Sequence, residues 1–156
     1  MSKSVARVRA ALQAAGLPDT IVEMPSETRT AEQAAAAAGC TLDQIVKSII
    51  FAGSESGELV LFLTAGGNRV DPARASALAG EPLGRADADL VRARTGFAIG
   101  GVAPVGHLSA LRSFWDPRLS EFPEVWAAAG TPRHVFPAPP EALLRLTGAE
   151  VAVFTG

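Results

Sequence analysis

Two runs of β-branched and apolar residues, IVKSIIFA at 45–52 and ELVLFLTA at 58–65, flank the four-residue turn SESG at 54–57. The pair predicts a hairpin. The first strand is β-branched and apolar on both faces, as expected for a buried strand, so the hairpin is expected at the centre of the fold. A chain of 156 residues built around it has room for one domain, spanning 1–156, and not for two. At that length folding buries roughly 70% of the unfolded surface, enough for a core without metal or disulfide staples.

The segments around the hairpin alternate between helix and strand signals. Val5, Val8, Leu12 and Ala15 repeat at helical spacing over 2–15 and Gly16 ends the run. This amphipathic stretch reads as a helix and not as a cleavable signal. TIVEM at 20–24 predicts a short strand. Thr30 with Gln33 is a capping-box pattern that opens an alanine-rich helix closed by Gly39, and Thr41 with Gln44 repeats the pattern. Asp71 and Pro72 predict the cap and first residue of a helix reaching Gly80, and another helix, about 87–94, stops at Gly96. GFAIGGVAPVGH at 96–107 begins as a strand and is interrupted by four glycines and a proline. The remainder alternates short apolar pieces with proline, RSFWDP, EVWAAAG and RHVFP, followed by a predicted helix EALLRLTG and a last strand VAVF. The expected fold is α/β of the α+β type, a mixed and largely antiparallel sheet flanked by helices.

Composition removes several functions. The single Cys40 excludes an internal disulfide framework and a thiolate zinc site, and with only His107 and His134 as imidazoles no metal site is expected. No apolar run approaches the ~20 residues of a membrane span, so no membrane partner is expected and a cytoplasmic protein is the default. Net charge of -2 argues against a broad phosphate-neutralising surface and against DNA, while leaving room for a local pocket that holds one strand end. Neither a Walker loop nor a dinucleotide fingerprint occurs, and no Gly-x-Ser-x-Gly elbow is present. Cys40 has no basic side chain within ten residues on its N-terminal side, and a lone cysteine is more often a small apolar filler.

Two features carry chemistry. The chain has 12 Arg but only two Lys, Lys3 and Lys47. On a strand Lys47 shares its face with Ile45, Ile49 and Phe51, where burying an ammonium costs several kcal/mol unless a partner or water compensates. Lys47 therefore either opens onto a cavity or brings its head out to solvent. The second feature is GGVAP, Gly100 to Pro104. Its glycines permit dihedrals that aim successive N–H groups into one concavity, which suits a carboxylate, a phosphate or a developing oxyanion, but they would equally relieve a tight bend. His107 and His134 lie in Gly- or Pro-rich loops.

The ordered series TRTAEQAAAAAGC, QIVKSIIF, LFLTAGGNRVD and TGFAIGGVAPVGH resembles the YbaK and prolyl-tRNA-synthetase-associated editing family, over about residues 17–155. The resemblance implies a mixed barrel-like sheet and hydrolysis of the ester between a wrong amino acid and the 3′ adenosine of a tRNA, typically the proline tRNA. It implies no cofactor. The family lysine falls on Lys47 and its Gly-x-x-x-P loop on Gly100 to Pro104, with Gly100 and Gly101 as oxyanion donors. Thr30, Ile49, Val102, Ala103, Pro104 and His107 are the expected substrate contacts. A pocket of this composition suits a small side chain such as alanine or cysteine. The expected partners are the 3′ end of mischarged tRNA(Pro) and, transiently, an aminoacyl-tRNA synthetase. Monomer and homodimer both stay open. The competing class is a non-catalytic module that binds a tRNA end or a small ligand in the same pocket.

Overall fold

The computed structural model describes residues 2–156. Five α-helices and eight strands follow in the order α1 (Lys3–Ala14), β1 (Val22–Glu23), α2 (Ala31–Ala38), β2 (Ile45–Gly53), β3 (Leu59–Ala65), α3 (Pro72–Ala79), β4 (Leu83–Arg85), α4 (Ala88–Thr95), β5 (Arg112–Trp115), β6 (Val125–Ala128), β7 (His134–Ala138), α5 (Pro140–Thr147) and β8 (Glu150–Val151), with 3₁₀ turns at Leu42–Gln44 and Pro117–Glu121. All eight strands join one mixed sheet ordered β1-β7-β6-β2-β3-β5-β8, with β4 on β2.

The hairpin is central, as its apolar faces require. β2 and β3 pair antiparallel from Val46↔Ala65 to Ala52↔Leu59. Every residue of β3 is buried. Leu59, Leu61 and Leu63 enter a large core with Val8, Leu12, Phe97, Val105, Trp115 and Phe136. Val60 and Phe62 enter a smaller one on the opposite face with Phe114 and Phe154. The period-two alternation of one strand thus feeds two cores, each buried Leu or Phe side chain contributing about 1.5–3 kcal/mol.

The sheet is mixed and largely antiparallel, as expected: four strand pairs are antiparallel and three, β2·β6, β3·β5 and β5·β8, are parallel. Several other expectations are corrected. TIVEM contributes only Val22–Glu23 to the sheet. VAVF is not a strand beyond Val151, because Phe154 turns into the smaller core and packs 5.0 Å from the Phe62 ring, leaving Thr155 to a single bridge with Val70. No strand forms in 96–107. Ala98 to Gly101 is a reverse turn closed by the Gly101 N–H on the Ala98 carbonyl (3.0 Å), with Gly100 at φ +96°, and the next four residues are buried consecutively without alternation. β4, which escapes the sequence reading, is only LGR.

Candidate functional site

β2 is flanked on its outer edge by two strands that do not meet. β6 pairs with it only at Ile45 and Val46, and β4 only from Phe51 to Gly53. Residues 47–50 have no strand beside them on that edge. The Gly53 N–H bonds the Glu58 carbonyl across the hairpin, so odd-numbered residues of β2 turn their peptide groups toward β3 and even-numbered ones turn theirs outward. Ser48 and Ile50 therefore present N–H and C=O to the breach.

A cavity of about 480 Å³ fills that breach. It falls within the ~300–1,000 Å³ range of small-ligand pockets. Its walls come from distant parts of the chain: Thr30, Ala31, Ala34 and Ala38 at the start and along one side of α2; Ile45 to Ile50 of β2; Ile99, Gly100 and Val102 of the glycine loop; Trp126 and Ala128 of β6. Apolar surface dominates. Lys47 and Gly100, 53 positions apart in the chain, share this one hollow. So do Thr30, Ile49 and Val102.

Lys47 is half-buried and its Nζ donates to the backbone carbonyl of Asn68 (2.5 Å). Among the described residues no carboxylate lies within salt-bridge distance of it. Burial pushes its pKa below the ordinary lysine value, and Arg69 adds to the decrease, while Glu32, Asp116 and Asp43 oppose it. An ammonium with one N–H committed retains two for a ligand.

The glycine loop is held rigidly from behind. Arg7 of α1 bonds the Gly96 carbonyl and lies 4.8 Å from the Phe97 ring centroid. Phe97, Ala103 and Val105 are core residues. The Gly101 amide is committed to the turn described above, so it offers no donor to a ligand. Gly100 and Val102 both line the cavity, and among the described residues their amides have no acceptor. Gly101, Ala103, Pro104 and His107 stand outside the wall. Gly101 packs under Thr131, Ala103 and Pro104 are buried, and His107 bonds the Ala103 carbonyl through Nε2 (2.7 Å) and packs edge-on against Phe97. Burial lowers the His107 pKa, and the bond to Ala103 opposes that. His134 shares a 2.6 Å bond between its Nδ1 and the Thr131 hydroxyl.

Thr30 caps α2, its hydroxyl accepting from the Gln33 amide (3.1 Å) while the Gln33 side chain accepts from the Thr30 amide. The cap fixes where the helix begins, and so where the cavity wall begins. Sequence reading missed Trp126, Arg29, Ser48 and the α2 alanines as wall residues. Ala31, Ala34 and Ala38 recur at helical spacing, a detectable stripe, but an alanine run shows no contrast between faces. Among the described residues no three His, Cys, Asp or Glu side chains gather as metal ligands, and no helix is long and apolar enough to cross a membrane.

Residues 25–146 match the model of the aminoacyl-tRNA editing domain. The chain belongs to that family. A crystal structure of a proposed trans-editing enzyme for prolyl-tRNA synthetase superposes on this editing domain with a TM-score of 0.92 at 50% identity, covering 100% of this chain and 99% of that one. The hypothetical protein APE2540 superposes at 0.87 with 29% identity over 96% of this chain and 99% of its own. YwhH of Bacillus subtilis (strain 168) is 28% identical over 131 residues, which are 84% of this chain and 83% of that protein.

Proposed function

We propose that this editing domain acts in trans as an aminoacyl-tRNA deacylase, removing alanine or cysteine wrongly attached to tRNA(Pro). The observation that carries the reading is that Lys47, Ser48 and Ile50 line one largely apolar cavity together with Gly100 and Val102, whose amides are unpaired among the described residues. The likeness to a proposed trans-editing enzyme for prolyl-tRNA synthetase supports both the tRNA and a transient encounter with that synthetase.

Lys47 holds the phosphate or carbonyl side of the terminal nucleotide by charge. Water adds to the ester carbonyl carbon, and the oxyanion so formed is held by the Gly100 and Val102 amides, each good donor being worth about 3–4 kcal/mol. Collapse breaks the bond between that carbon and the ribose 3′ oxygen, releasing the amino acid and the free 3′ hydroxyl. The proton that water loses passes to the substrate's 2′ hydroxyl or α-amino group and on to the leaving oxygen. An aminoacyl ester is already activated, so orientation and electrostatics suffice.

Single-turnover hydrolysis of Ala-, Cys- and Pro-charged tRNA(Pro) tests the reading. The expected order places Ala or Cys far ahead of Pro. Tight binding of every charged tRNA without ester cleavage would instead make the domain a binding module.

A further inference from the structure

We propose that Asp116 is the positioning residue for Lys47, its buried carboxylate holding the turn whose Asn68 carbonyl receives the lysine ammonium. The inference deepens the deacylase reading and rests on it for its catalytic meaning.

Asp116 is 2% exposed, at the end of β5. One carboxylate oxygen, Oδ2, accepts from the Ala65 amide (3.0 Å) and from the Asn68 side-chain amide (2.9 Å), and Oδ1 accepts from the Arg118 amide (3.0 Å). Ala65 and Asn68 are the two ends of the tight turn that leaves β3, closed by the Asn68 N–H on the Ala65 carbonyl (2.9 Å). The carboxylate thus grips both ends of the turn. Asp43 grips its middle, accepting from the Gly67 amide (2.8 Å), and the Arg118 guanidinium bonds Asp43 in turn (2.9 Å). Gly66 has no room for a Cβ, which would collide with the Leu42 carbonyl. Everything about this turn fixes the Asn68 carbonyl in space, and that carbonyl is the acceptor for Lys47.

A buried carboxylate that accepts three N–H groups is a demanding design, since losing one acceptor strands a donor. Its position explains the expense. It orients the acceptor that Lys47 bonds directly and adds negative charge near an ammonium disfavoured by burial. The charged groups that act on Lys47 are Glu32 of α2, Asp43 of the first 3₁₀ turn, Arg69 beyond the β3 turn, and Asp116 itself.

The test exploits the presence of only two lysines. NMR of the labelled ε-ammonium groups gives two signals, with Lys3 as the internal reference. In the wild type Lys47 titrates below the ordinary lysine value. In Asp116→Asn, and in Asn68→Ala, which removes the amide gripped by Asp116 but keeps the main chain, the Lys47 titration moves lower still. The alkaline limb of deacylation moves with it, and kcat falls about tenfold with a smaller change in KM. Ser120→Ala, which removes the acceptor of the buried Trp115 Nε1 (3.0 Å), costs stability but leaves the Lys47 titration in place. A Lys47 titration in Asn68→Ala and in folded Asp116→Asn that superposes on the wild type overturns the proposal. If Asp116→Asn does not fold, Asn68→Ala decides. Shifted titrations in a protein that cleaves no charged tRNA uphold the coupling of Asp116 to Lys47 and remove the deacylase reading alone.

Discussion

Gly101 lies directly against the Thr131 backbone: a Cβ added at position 101 would come 2.7 Å from the Thr131 Cα. The contact joins the glycine loop to the 129–133 segment, whose Pro132 carbonyl in turn accepts from the Thr28 amide (2.6 Å) and hydroxyl (2.9 Å). One wall of the cavity is locked to another through this pair.

The two neighbouring glycines should respond differently to alanine. Gly101→Ala forces backbone apart and is expected to cost about 1–3 kcal/mol of stability, read as a lower denaturant midpoint. Gly100→Ala meets only the end of the Arg29 side chain at 3.0 Å but must hold φ near +96°. It should reduce deacylation by a larger factor than its loss of stability accounts for. Parallel losses of activity and stability in both variants would reduce the loop to a bend.

Lys47→Ala should lower single-turnover deacylation at least tenfold. Lys47→Met fills the same space without a charge that burial disfavours, so its melting temperature is expected at or above that of the wild type while activity is lost. A Met variant as active as the wild type would dismiss the ammonium from the reaction.

Ile49 lines the cavity and packs against the smaller core. Ile49→Ala should widen the site and raise kcat/KM for larger acyl groups relative to alanine by roughly tenfold, the scale that pocket fit allows per methylene. An unchanged ratio across a panel of charged tRNAs would place the acyl group elsewhere in the cavity.

His107 links pH to stability. Its folded pKa lies below the ordinary value of 6.5, so between the two the unfolded chain binds the extra proton and stability rises with pH. The contribution is complete above about pH 6.5 and is lost as pH falls through the lowered value. Urea midpoints measured between pH 7.5 and 4.5 should decline more steeply for the wild type than for His107→Gln, whose amide can still donate to Ala103. Superimposable declines would show that His107 is not the group responsible.

Much of this architecture is legible in the residues. The paired caps at Thr30 and Asp71 and the glycine stops at Gly39, Gly80 and Gly96 mark helix ends where they fall, because capping is local chemistry. Lys47 and the glycine loop stand out because an ammonium among isoleucines and a cluster of glycines each contradict their surroundings. The cavity itself is not legible. It exists because β6 and β4 leave β2 at different points, a matter of strand divergence that no local pattern records. Nor can the sequence show that the Gly101 amide is consumed by its own turn and Val102 takes its place on the wall. Asp116 escapes for a similar reason: within the short apolar piece RSFWDP nothing marks it, and only the fold brings it beneath Asn68.

The breach beside Ser48 and Ile50 also bears on how such a domain could change its diet. Part of the chamber's boundary there is main chain, which no single codon change can reshape. Exchanging side chains can trim the volume or line it differently, yet the pattern of peptide groups offered to a guest persists through every such exchange. Relatives that share the splayed strands should therefore accept acyl groups of different bulk while demanding the same arrangement of polar atoms around the ester.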